Sequence, residues 1–142
     1  MIGKIVNEIQ LGEKAEFTKT ISESDIYLYA GLTGDLNPAH IDEVYAKKTF
    51  FGARIAHGMF SAGLISTIFG TRLPGPGTIY LRQTVEFTAP VYIGDTITAR
   101  VEVLNVDIKK NRVTFRTSCF NQGGKEILTG EAVVSPPKGP RN

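Results

Sequence analysis

The sequence predicts an α+β fold in which an antiparallel sheet curves around one long buried helix, and three of its features carry that expectation. Residues 57–69, HGMFSAGLISTIF, keep helical spacing and are apolar almost all round; a helix without a polar face is expected to be enclosed by protein. Residues 77–87, 95–107, 112–121 and 125–135 each carry strand patterns, clearest in ITARVEVLNV and VTFRTSCF. Turn residues at 109–111 and 122–124 join the last three of these segments as hairpins.

The remaining elements follow in chain order. Residues 15–21 alternate weakly and read as a short strand. Ser22 with Asp25 three positions on resembles a capping box, with Asp where Glu or Gln is preferred. Ile26, Tyr29 and Ala30 then recur at helical spacing, giving a helix of about ten residues that ends near Gly31. In GLTGDLNPAH, Gly34, Asp35, Asn37 and Pro38 break any helix, and Pro38 pushes Asn37 towards an extended backbone. Asp35 and His40 are therefore expected on an irregular loop. Asp42 can cap a short helix through Lys47, and residues 135–142, with the tail PPKGPRN, are expected to fray. No internal repeat or linker divides the chain, so residues 1–142 read as one domain.

Composition narrows the classes of function. At 142 residues, with 42% hydrophobic and 21% charged residues, the chain can bury one real core. Its net charge of +2 is spread along the sequence, which argues against a nucleic-acid partner. No apolar run approaches the ~20 residues of a membrane span, and MIGKIVNEIQ lacks the apolar core of a signal peptide, so cytoplasm is the expected compartment. The lone Cys119 excludes an intrachain disulfide and a cysteine-based metal cluster, and its strand-like setting predicts a buried apolar role.

Both histidines lie among the sharp turns between the two long helices. His40 follows Asp35 by five residues across a bend broken by Pro38. A carboxylate and an imidazole sharing a water can exchange protons with it near neutral pH, with no metal. A simple turn beside a surface histidine would leave the same pattern. Gly58 opens the apolar helix, where backbone N–H groups are unpaired and the dipole is positive, so its amide is a candidate oxyanion donor; close packing of helix on sheet would equally call for glycine. For His57 a structural hydrogen bond is the favoured reading, because a cation at a helix N-terminus is disfavoured. Ser66, eight residues after Gly58, shares its helix face and can orient Asp35 or the water; a buried helical serine, like Ser61 and Thr67, can instead bond the carbonyl one turn back. G-x-S-x-G is absent, and PGPG (residues 74–77) comes without Gly-Lys-Ser/Thr or G-x-G-x-x-G, so neither a serine hydrolase elbow nor a phosphate loop is present.

Taken together, GDLNPAHID (residues 34–42), FGARIAHGMFSAGL (51–64), YLRQTVEFTAPVYIGDTI (80–97) and LTGEAVV (128–134) resemble the MaoC-like family of (R)-specific enoyl-CoA hydratases. The resemblance runs from about residue 16 to 135 and rests on the D-x-N-P-x-H loop followed by the H-G helix. It implies the hotdog fold, a sheet wrapped round a long helix. It implies a catalytic water held between Asp35 and His40, an oxyanion amide at Gly58, a supporting Ser66 and a loop-shaping Asn37. Phe69 and Val134 are guesses for the acyl pocket, and the Phe50-Phe51 pair is given no function. An acyl-CoA or acyl-carrier-protein thioester as substrate, a homodimer and no cofactor complete the expectation. A thioesterase of the same fold and a non-catalytic acyl-binding subunit are the competing readings, since fold alone cannot separate them.

Overall fold

The computed structural model describes residues 1–139. After a short 3-10 turn at Val6–Glu8 come β1 (Lys14–Thr20), α1 (Glu23–Thr33), α2 (Pro38–Ile41), α3 (Glu43–Lys47) and α4 (Gly58–Thr71). Four strands close the chain: β2 (Ile79–Phe87), β3 (Thr96–Asp107), β4 (Arg112–Phe120) and β5 (Glu126–Ser135). With β1 they form one five-stranded antiparallel sheet in the order β1-β3-β4-β5-β2. Helix α4 packs against all five strands, so the sheet wraps the helix as expected.

Alternation decides which side of each strand meets α4. On β3, Ile97, Ala99, Val101 and Val103 are buried, while Thr98, Arg100 and Glu102 between them are less so. From α4, Leu64, Ile65, Ile68 and Phe69 enter the same core, each contributing roughly 1.5–3 kcal/mol by leaving water. Phe69 packs its ring 4.9 Å from Phe115 and 5.1 Å from Tyr80. Cys119 is fully buried, and burial pushes its thiol up to about 12, so it remains a protonated core residue.

The capping box at the head of α1 is complete. Ser22 Oγ accepts from the Asp25 amide at 3.1 Å, and Asp25 accepts from the Ser22 amide at 2.9 Å, so the shorter acid still closes the ring. The helix runs past Gly31 to Thr33 and stops at Gly34, whose φ of 81° is the left-handed cap that glycine adopts without strain.

Two expectations are corrected. Helix α4 is not enclosed on every side: Met59, Gly63, Ser66 and Gly70, at successive helical spacing, form an exposed stripe. The segment expected to fray is partly docked, because Pro136 and Pro137 are buried and Asn111 Nδ2 donates to the Pro136 carbonyl at 2.8 Å. The last part of that tail, 140–142, lies outside the described residues.

Candidate active site

Asp35, His40 and His57 converge where α1, α2 and the start of α4 meet. The Asp35 carboxylate and one ring nitrogen of each histidine all lie within 4.8 Å of one another. Asp35 Oδ1 accepts from the Asn37 amide at 3.2 Å, and Asn37 Oδ1 accepts from the Ala39 amide at 3.1 Å. The second bond makes Asn37 the cap of α2, whose first residue is Pro38, the position at which a missing N–H costs nothing. His40 thus sits on a one-turn helix and not on an irregular loop. Four residues are too few to show periodicity in the sequence.

Hydrogen bonds assign the two imidazoles different jobs. His40 Nδ1 lies 2.7 Å from the Ile55 carbonyl oxygen. A carbonyl only accepts, so this nitrogen carries the proton and Nε2 is left as an acceptor on a ring that lines a cleft. By the same logic His57 Nε2 donates to the Asp35 carbonyl at 3.0 Å, the structural bond expected of it, while its Nδ1 is buried without a partner among the described residues. His57 lies between His40, with ring centroids 3.8 Å apart and a 30° tilt, and Tyr29 at 4.6 Å.

The cleft has a volume of about 460 Å³, and its walls include His40, Phe51, Gly58, Ser61, Phe87 and Ile127. Gly58 is the first residue of α4, and its N–H has no hydrogen-bond partner among the described residues. His57 supplies no side-chain cap, so the positive end of the helix opens onto the cleft. A β-carbon at position 58 would lie 2.8 Å from the Phe87 ring, which explains the glycine: nothing else leaves the aromatic wall in place.

A family model described as the MaoC like domain matches residues 5–121. The chain belongs to the MaoC-like family. It is 57% identical over 130 residues to an (R)-specific enoyl-CoA hydratase of Rhodospirillum rubrum, an alignment covering 92% of this chain and 90% of that one. It is 45% identical to a 3-hydroxybutyryl-CoA dehydratase of Methylorubrum extorquens, covering 92% and 83%. Among solved structures, the unliganded R-hydratase PhaJ1 from Pseudomonas aeruginosa superposes with a TM-score of 0.91 at 48% identity, covering 96% of this chain and 88% of that one. The fold is accordingly the hotdog.

Within this MaoC-like chain the remaining candidate residues are placed unevenly. Asp35 is exposed in the single chain although its carboxylate reaches both histidines. Ser66 lies on the exposed stripe of α4, and no hydrogen bond joins it to Asp35 among the described residues. One turn and a half earlier, Ser61 is 2% exposed and lines the cleft. Thr67 makes the back-bond to the Gly63 carbonyl at 3.2 Å that its helical position suggested. Phe69 and Val134 are sealed in the core and line no part of the cleft, whose apolar walls include Phe51, Phe87, Val91 and Ile127 instead. Phe50, by contrast, projects into solvent. Sequence reasoning missed the Ile55 carbonyl because a backbone acceptor leaves no mark on residue type. It missed Phe87 because a strand-end aromatic reads as ordinary packing.

Proposed function

We propose that the chain catalyses reversible addition of water to a trans-2-enoyl-CoA, giving the (R)-3-hydroxyacyl-CoA, with Asp35 and His40 as the acid/base pair and the Gly58 amide as the oxyanion donor. The observation that carries the reading is one cleft wall holding an acceptor imidazole nitrogen beside an unpaired helix N-terminal amide, with a carboxylate within reach. A water donating one hydrogen to Asp35 and the other to His40 Nε2 presents its lone pair outward, ready to attack the β-carbon. The hydroxyl joins the β-carbon, negative charge collects on the thioester oxygen opposite Gly58, and the proton taken by the pair is returned to the α-carbon. Both groups end as they began, and no redox step calls for a cofactor. The names of the relatives from Rhodospirillum rubrum and Methylorubrum extorquens support the same reaction and a CoA thioester as substrate.

The test is incubation with crotonyl-CoA while following enoyl absorbance and free thiol together. Hydration consumes the enoyl band without releasing thiol. Thiol release at the rate of absorbance loss would assign a thioesterase instead, and neither change would leave a binding subunit.

A homodimer is part of the proposal. Of the two edge strands, β1 carries Lys14 and Lys19, charges that discourage further pairing, whereas β2 exposes Ile79, Leu81 and Phe87. The stripe of α4 and the exposed Asp35 also call for a cover, since proton transfer is strongest where water is excluded. Sedimentation of the wild type is expected to give twice the 15.5 kDa chain mass, and Leu81→Lys to shift it towards one chain. A monomeric wild type with full activity would remove the dimer.

A further inference from the structure

Arg54 has no role in the site as described, yet its environment is unusual for a loop arginine. Its side chain is only 11% exposed although it follows the turn at Gly52, whose φ is 71°, and the exposed Ala53. Its guanidinium meets two groups, both on the first two turns of α1. Nη2 donates to Glu23 Oε1 at 2.6 Å and Nη1 to the Tyr27 hydroxyl at 2.8 Å. Tyr27 closes the triangle by donating to the same Glu23 oxygen at 2.9 Å. The guanidinium, and then the Tyr27 hydroxyl, hold the Glu23 carboxyl below the usual carboxylate range. Charge-assisted bonds of this kind fix geometry more firmly than neutral ones.

What the clamp holds is the next residue. Ile55 donates its N–H to the Ala39 carbonyl at 3.2 Å and accepts from His40 Nδ1 at 2.7 Å, so one residue brackets the catalytic turn through both its backbone groups. On its far side it is fixed by an isolated bridge to Tyr92. On its near side, residues 52–54 form no helix or strand, and the Arg54 side chain is what ties that stretch to α1. We infer that Arg54 is a positioning residue which, anchored by Glu23 and Tyr27, aims the Ile55 carbonyl and so keeps His40 in the tautomer whose Nε2 can accept a proton from water. This rests on His40 acting as proposed above, and it adds a remote clamp, some distance outside the cleft, to the machinery. Second-layer partners of this sort orient a histidine and fix its tautomer.

The test pairs kinetics with ring-nitrogen NMR of His40, which distinguishes Nδ1–H from Nε2–H. In the wild type the Nδ1–H signature is expected. In Arg54→Met, kcat is expected to fall on the order of 10-fold with KM nearly unchanged, because the imidazole is misaimed while the substrate walls stay in place. The His40 signal should then show both tautomers. Arg54→Lys, which keeps one charge-assisted bond, should recover part of each effect, and Glu23→Gln, which leaves the cleft untouched, should move both in the direction of Arg54→Met. Wild-type nitrogen signatures in Arg54→Met and Glu23→Gln would overturn the inference, even with slower turnover, since Arg54 would then act through something other than His40. An inactive wild type would remove the hydratase reading, while the nitrogen signatures would still decide whether Arg54 sets the tautomer.

Discussion

Exchanging His40 for Gln, or Asp35 for Asn, is expected to lower turnover of crotonyl-CoA by at least ~100-fold, the scale of positioned acid/base groups, while leaving the protein folded. The Asp35 replacement preserves the local bond that the native residue makes. Asn at position 35 retains an oxygen for the Asn37 amide, a bond of 3.2 Å in the native chain, whereas Gln at position 40 sets its amide where His40 Nε2 lies and gives up the 2.7 Å bond from Nδ1 to the Ile55 carbonyl. What each loses is the ability to take or give a proton. Asp35 is exposed in the single chain, so its replacement leaves no unpaired polar atom in the core. Steady-state rates beside a denaturation curve separate the two effects. Unchanged melting with turnover near the wild type in either variant would reject the pair.

Gly58→Ala is expected to cost about 100-fold in kcat/KM, the scale of a misplacement of about 1 Å at a catalytic site. The amide itself survives this change, and alanine is the better helix former, so neither helix stability nor donor count accounts for the loss. The cause is steric: the new methyl would lie 2.8 Å from the Phe87 ring, and either the ring swings across the cleft or the start of α4 shifts. In the single chain Phe87 is about half exposed at the end of β2, so its ring, and not the packed start of α4, is the part displaced. Trimming it should therefore restore activity. In the Gly58→Ala/Phe87→Ala double variant at least part of the loss is expected to return, measured against Phe87→Ala alone. A double variant still about 100-fold slower than Phe87→Ala alone would mean that the ring does not mediate the defect.

The central helix, the four strands after it and the Ser22 capping box were legible because each depends on residue type at a fixed period or spacing. Strand order was not. Nothing in residues 79–87 states that β2 pairs with β5 and that β3 separates β1 from β4, since pairing is settled by closure of the whole sheet around α4. The site divided the same way. Asp35, Asn37, His40 and Gly58 stood out as types that matter near turns and helix ends, and the structure gathers three of them with His57. Ser66 was placed beside Gly58 by helical counting, which fixes a face but not what that face meets, and in the single chain it meets solvent. The Ile55 carbonyl and the Arg54 clamp depend on tertiary approach between segments 15 and 31 residues apart, beyond the reach of local patterns.

The claim on which the rest depends is that Asp35 and His40 hold one water and act as a unit. The rate of crotonyl-CoA hydration by the Asp35→Asn/His40→Gln double variant, set beside the two single variants, tests it most directly. Groups that act as a unit are grossly non-additive, so the double variant should be about as slow as the slower single one. A loss equal to the product of the two single losses would show the two side chains working on separate events, and the shared water would have to be given up.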